Sequence, residues 1–208
     1  MREAEKAVYP KKLFGVLAGA AVAWALTHLV MQSFLIPSQS MSPTLVPGDR
    51  IYVSKIAYRH EQPGLGDIVV FHAPTWADQQ QRTFIKRVLG LPGDRIAVRD
   101  GHLHRNGQMV DEPYLAEAPK YQWPAEQMVL LKEGGKPQAV ERDGEVTVPE
   151  GMLVVLGDNR NENSDSHSWM AIGSDGKMYP CPFLARERVF GRAFVVVWPP
   201  GRARSLPR

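Results

Sequence analysis

Residues 94–107 read DRIAVRDGHLHRNG, and this stretch decides the fold class. Ile96 and Val98 alternate with Arg95 and Arg99 at the two-residue period of a strand, and Leu103 between His102 and His104 repeats the alternation. Asp100 and Gly101 separate the two runs. An Asp-Gly pair accepts the positive φ angles of a tight turn whose twist suits antiparallel strands, so the stretch predicts a β-hairpin. Asn106 and Gly107 supply a second turn a few residues on.

Working outward, further alternating or β-rich runs lie at 49–56, 67–72, 83–89, 145–148, 152–156 and 189–198. Pro-Gly pairs at Pro47 and Gly48, Pro63 and Gly64, and Pro92 and Gly93 punctuate strand ends. No long stretch between 37 and 208 shows a helical period. A chain of 208 residues with 17 Pro and 18 Gly therefore reads as one mostly β, antiparallel domain with many turns. Residues 114–143 are polar and contain Pro, and are expected to leave the main sheet as an irregular excursion. They lie within an insertion spanning about 95–150.

Bulk properties exclude several function classes. The net charge of +3 is spread along the chain, so no nucleic-acid surface is expected. Cys181 is the only cysteine, which rules out an intrachain disulfide and a cysteine zinc site. His102 and His104 would share a strand face but lack a third ligand, so neither a metal nor a cofactor is expected. No Gly-x-Ser-x-Gly elbow or glycine-rich phosphate loop occurs. The basic C-terminal residues 201–208 read as a solvated tail, and a monomer is the default.

Residues 13–36 read LFGVLAGAAVAWALTHLVMQSFLI and contain no Asp, Glu, Lys or Arg. As a helix rising ~1.5 Å per residue they would be about 36 Å long, enough for a bilayer core of ~30 Å. Arg2, Lys6, Lys11 and Lys12 precede the run, while only Arg50 and Lys55 follow closely. The excess of basic residues ahead of the span orients 1–12 to the cytoplasm and 37–208 to the outside.

Three islands carry chemistry. The first runs Pro37, Ser38, Gln39, Ser40, Met41, Ser42, Pro43, Thr44, Leu45. In an extended segment Ser38 and Ser40 would point the same way, one to attack and the other to help hold an oxyanion. The second is TFIKRVLGLPGD at 83–94. Strand alternation puts Lys86 on a face with Phe84 and Val88, where lost hydration disfavours its charged form. A lysine so tuned can take a proton from a serine hydroxyl. Arg87, on the other face, is expected to be a surface charge or a local ion pair. The third island, GDNRNENSDSHSW at 157–169, follows an apolar strand and would either cap it or support a site.

Together the three islands, in this order after an apolar span, resemble the bacterial type I signal peptidases, from the span to about Pro199. That family carries a Ser-Met-x-Pro-Thr-Leu box, a Lys-Arg-x-x-Gly-x-Pro-Gly-Asp box and a Gly-Asp-Asn-Arg box. The resemblance implies the signal-peptidase and LexA-like β fold behind one N-terminal transmembrane helix. It further implies a Ser/Lys-dyad endopeptidase of the bacterial plasma membrane that cleaves preprotein signal peptides after Ala-x-Ala-type sites. Ser40 would be the nucleophile and Lys86 the general base. The Ser40 amide and the Ser38 hydroxyl would form the oxyanion hole. Ile36, Met41, Leu45, Phe84 and Ile85 match substrate-pocket positions, while Asp158, Arg160 and Asp165 match residues that support the site. Two positions depart from the family pattern. Asn163 stands where a serine usually bonds the catalytic lysine, so Asn163 or Ser164 is expected to take over that bond. His167 stands in place of the arginine that pairs with the supporting aspartate. The alternative reading is a non-catalytic membrane-anchored β protein, which would be expected to lose Ser40 or Lys86, and this chain keeps both.

Overall fold

The computed structural model describes residues 15–19, 24, 29–124, 128–130, 138–162 and 164–207. Its strands in chain order are β1 (Met31–Leu35), β2 (Arg50–Ser54), β3 (Ile68–His72), β4 (Thr83–Gly90), β5 (Arg95–Arg99), β6 (His102–Arg105), β7 (Gln108–Met109), β8 (Val129–Leu130) and β9 (Gln138–Ala139). There follow β10 (Glu141–Arg142), β11 (Glu145–Thr147), β12 (Met152–Leu156), β13 (Met170–Ile172), β14 (Met178–Pro180), β15 (Leu184–Ala185), β16 (Val189–Trp198) and β17 (Arg204–Ser205). The main sheet has the order β1-β2-β16-β3-β4-β12-β15, with β17 added to β16. A second sheet has the order β10-β11-β5-β6-β7, and β8–β9 and β13–β14 form two-stranded ribbons. The pairings are antiparallel, as the hairpin signals require.

The Asp-Gly turn behaves as its chemistry dictates. Asp100 and Gly101 take φ of 51° and 78°, and Val98 pairs with Leu103 across them. Strand β3 explains why the main sheet is stiff where it matters. Ile68 and Val70 enter one core with Ile36, Met41, Leu45, Ile51 and Val196. Val69 and Phe71 enter another with Val88, Val155, Trp169 and Leu184. A strand buried on both faces cannot slip register without exposing one apolar set. A third core joins the two main sheets through Leu89, Ile96, Val98, Leu103, Trp123, Val154 and Phe183. Strand β4, carrying Lys86 and Arg87, therefore runs through the middle of the molecule.

Two expectations are corrected here. Residues 31–36 do not continue the apolar helix: Met31–Leu35 pair with β2 at five consecutive positions, and Ile36 is a core residue. Sheet hydrogen bonds and the burial of Ile36 outweigh the helical reading of an apolar run. The rest of the expected span lies largely outside the described residues, and among those described no helix is long and apolar enough to cross a membrane. The C-terminal residues are not a free tail. Strand β17 pairs with β16, and Arg202 and Arg204 are anchored to the loop between β1 and β2.

Candidate active site

The loop from Ile36 to Asp49 is built by opposed tendencies. Ile36, Met41 and Leu45 are buried, which pulls the loop onto the core. Pro37, Ser38 and Gln39 remain exposed, so the chain arches between these anchors. The segment is a series of turns rather than extended: Ser42 N–H donates to Gln39 O at 2.9 Å and Leu45 N–H to Met41 O at 2.8 Å. The arch still brings the Ser38 and Ser40 hydroxyls to 3.3 Å from each other. The Ser40 amide donates to no acceptor among the described residues, and Ser40 is partly exposed. An amide with no acceptor among the described residues, in the same residue as a hydroxyl close to that of Ser38, supplies the kind of donors an oxyanion needs.

Lys86 is 3% exposed. Its ammonium lies 5.8 Å from the Phe84 ring centroid, on the face strand alternation assigns to it. Burial lowers its pKa to about 8, against the opposing attraction of Asp165 and Asp158. At that value a substantial fraction is neutral near pH 8, whereas an ordinary lysine there is almost wholly charged. Among the described residues no hydrogen bond joins Lys86 Nζ to Ser40 Oγ. Catalytic hydrogen bonds commonly tighten only when substrate arrives.

The third island is tied to both. Asn159 N–H donates to Ser40 O at 3.1 Å, joining it to the Ser40 loop. Asp158, 1% exposed, accepts from Arg87 Nε at 2.8 Å and Nη2 at 2.6 Å. Arg87 also donates to Gly66 O at 3.0 Å and stacks over the Tyr114 ring at 4.0 Å. The expectation of Arg87 as a surface charge is thus corrected to a fully engaged buried guanidinium. Burial lowers its proton affinity, and the Asp158 hydrogen bond and charge more than reverse that. Arg160 donates to Gly157 O at 3.1 Å and pairs with Glu112. Tyr114 Oη donates to the same Glu112 carboxylate at 2.5 Å. Burial foremost, with the Glu112 charge and hydrogen bond, raises the Tyr114 pKa, so the phenol stays neutral.

Asp165 is fully buried. Its Oδ2 accepts from Gly157 N–H at 2.8 Å, and its Oδ1 from His167 N–H at 3.0 Å. His167 Nδ1 lies 2.6 Å from the same Oδ1. The acceptor is a carboxylate, so Nδ1 carries the proton and donates. The adjacent Ser166 bonds back to Val155 twice, through its amide and its hydroxyl, which fixes the loop on β12. Where the family pattern has an arginine on this aspartate, the histidine holds the pair.

The remaining site residues fall into three groups. Ile36, Met41 and Leu45 are the buried anchors of the Ser40 loop, while Phe84 and Ile85 keep partial exposure. Ser164 is exposed and makes no hydrogen bond to Lys86 among the described residues. Asn163 lies outside the described residues. Sequence reasoning missed Glu112, Tyr114 and Tyr121, which come from the polar segment after β7. Their signal was an aromatic-acid cluster, Glu112 and Tyr114 around Pro113, in a stretch otherwise typical of solvent.

Comparison with known proteins shows the family. Residues 11–198 match the family model described as signal peptidase, peptidase S26. A probable signal peptidase I-2 of Synechocystis is 37% identical over 194 residues, covering 92% of this chain and 74% of that one. A signal peptidase I of Leptolyngbya laminosa is 37% identical, covering 89% of this chain and 77% of that one. That of Pseudomonas aeruginosa is 32% identical, covering 96% and 75%. Among solved structures, a signal peptidase I from Enterococcus faecalis is 29% identical over 64% of this chain and 97% of that one, with a TM-score of 0.41. The chain belongs to the signal peptidase family, peptidase S26.

Proposed function

We propose that the protein is a membrane-anchored serine endopeptidase that removes signal peptides from exported preproteins by a Ser40/Lys86 dyad. The observation that carries the reading is a buried lysine with a pKa lowered to about 8, in a molecule whose third island is hydrogen-bonded to the backbone of a partly exposed serine. Neutral Lys86 takes the Ser40 hydroxyl proton as Oγ attacks the scissile carbonyl carbon. The oxyanion that forms accepts from the Ser40 amide and the Ser38 hydroxyl, each such donor being worth a few kcal/mol of barrier. The protonated Lys86 then gives its proton to the departing amine. A water that loses its own proton to Lys86 attacks the acyl-enzyme, releasing the new carboxylate and restoring Ser40.

In this reading Phe84 and Ile85, which keep partial exposure, and Ile36, Met41 and Leu45, which are buried, line shallow apolar substrate pockets. Shallow apolar pockets of this kind favour small side chains such as those of Ala-x-Ala sites. The eighteen residues 13–30 remain for the anchor once β1 is removed from the expected span. As a helix they would be about 27 Å long, close to the thickness of a bilayer core. Basic residues ahead of them favour a cytoplasmic N-terminus and an extracytoplasmic catalytic domain at the bacterial plasma membrane.

The test is cleavage of a synthetic preprotein by the purified full chain and by Ser40→Ala and Lys86→Ala. Both variants should lose at least about a thousandfold in kcat/KM, in line with removal of a nucleophile or its base. Residual activity near the wild-type level in either would overturn the dyad.

A further inference from the structure

His167 is a titratable side chain of the site that the dyad chemistry leaves without a task. It is held at three points. Its amide and its ring Nδ1 both reach Asp165 Oδ1, and its ring stacks on Tyr121 at 4.1 Å between centroids and 11° between planes. Asp165 in turn is one of the two carboxylates whose charge acts on Lys86. We propose that His167 is a positioning residue for the dyad, which through its own protonation sets how much of the Asp165 charge is felt by Lys86. The inference rests on Lys86 being the general base.

The charges around His167 make the argument quantitative in sign. Tyr121, the residue stacked on it, is kept neutral because burial and then the Asp165 charge raise its pKa. Beyond Tyr121 lie Arg160 and Glu112, which neutralise each other as a pair. On the far side of Asp165, Asp158 is matched by Arg87. One negative charge therefore remains, on Asp165, and two groups compete for it: the His167 imidazole and the Lys86 amine. With one proton between them the cluster is neutral. With none it carries a net negative charge, and with two a net positive charge, both unfavourable in an environment where all of these side chains except His167 are largely withdrawn from water. Protonation of His167 thus disfavours the ammonium form of Lys86. The effect keeps a fraction of Lys86 neutral as the pH falls, so catalysis would decline more gently than a single lysine titration allows.

The test is the pH dependence of kcat/KM between pH 5 and 10, on the full chain in detergent, for wild type, His167→Arg, His167→Gln and Lys86→Ala. Arginine keeps the carboxylate contact with a permanent charge. Its acid limb is expected to move down by about half a pH unit, a threefold gain at fixed pH on the limb. Glutamine keeps a donor without a charge. Its rate at pH 6, normalised to its own plateau, is expected to fall about threefold below wild type, with a limb of unit slope. A merely structural histidine would lower the plateau and leave the limb in place. Superimposable normalised limbs for wild type and both variants overturn the proposal, as does an upward shift in His167→Arg. Should His167→Arg not fold, His167→Gln decides alone: a normalised profile coincident with wild type overturns, and a lowered pH 6 rate supports. Activity surviving in Lys86→Ala would instead sink the dyad, which separates the two failures.

Discussion

An ammonium group at the position of Lys86 loses nearly all its hydration, and the carboxylates of Asp165 and Asp158 restore only part of what is lost. The folded pKa of about 8 lies below the ordinary value of 10.5. Between these two values the unfolded chain binds the proton and the folded chain does not, so stability rises with pH across that window. Below pH 8 the penalty is fully present. Lys86→Met is therefore expected to abolish cleavage and to raise unfolding free energy at pH 7 by roughly 2–3 kcal/mol, as measured by denaturant titration. The gain should shrink as the pH approaches 10.5, and a constant gain would show that packing rather than charge is responsible. Asp158→Asn has the opposite consequence. It leaves the Arg87 guanidinium buried without its counter-charge, and should lower stability by about 3–5 kcal/mol. Replacing Arg87 with Met in the same chain should restore much of that loss, because the orphaned charge is gone. At this scale the burial of Lys86 beside Phe84 was legible in strand alternation, whereas Ser40 and the aspartates stood out only through the resemblance of their boxes to a family pattern. The burial of Arg87 was not legible, although the argument used for Lys86 applies to it equally: a basic residue amid a run of apolar strand residues must be buried, whichever face it takes. What hid it was its partner, 71 positions away at Asp158.

Among elements, the C-terminal segment does what its composition conceals. Arg202 donates to Asp49 through Nε at 2.7 Å and Nη2 at 2.9 Å, and Arg204 Nη2 donates to Thr44 O at 2.5 Å. Leu206 packs against the core that holds Met41 and Leu45. The last residues therefore clamp the far end of the loop bearing Ser40. Burial raises the Asp49 pKa, but the Arg202 hydrogen bond, the Val46 amide and nearby positive charge outweigh it, and the net shift is downward. A depressed carboxylate pKa contributes stability above the unfolded value and loses it as pH falls through the folded one. Arg202→Gln is expected to raise KM and lower kcat by a few fold through loosening of the loop. It should also remove part of the wild-type loss of stability as the pH falls from the ordinary carboxylate range, near 4, toward the depressed pKa of Asp49. Equal acid sensitivity in the variant and the wild type would refute the clamp. Strands β2 to β6, β11, β12 and β16 were legible because alternation and turn pairs signal them locally. β1 was masked by an adjoining apolar run, and short strands such as β15 and β17 have too few residues to display a period.

At the scale of the whole molecule, the proposed anchor would set the antiparallel sheets beside a bilayer. Leu35 and Trp198 both stand opposite Arg50 in the register of β1, β2 and β16. Leu35 is 59% exposed and Trp198 56%, and Leu29, just ahead of β1, is 65% exposed. An exposed tryptophan, two leucines and an arginine form the composition that settles at a lipid headgroup layer, where the indole takes the interface and the guanidinium meets phosphate. The strands that carry this rim also anchor the loop of Ser40, since Ile36 directly follows Leu35. Docking the rim on the membrane would thus bring the nucleophile to the depth at which a membrane-embedded signal segment ends. A chain starting at Leu29 should bind vesicles containing anionic lipid in a sedimentation assay. Trp198→Ala should weaken that partitioning roughly tenfold, from the loss of one large side chain at the interface. Arg50→Gln should weaken it less, and only at low salt. With a soluble peptide substrate the Trp198→Ala chain should keep its kcat/KM, while its rate on a preprotein in the same vesicles falls with its binding. Equal vesicle binding by the wild-type and Trp198→Ala chains would show that the rim faces water and that only the preceding apolar run holds the enzyme to the bilayer.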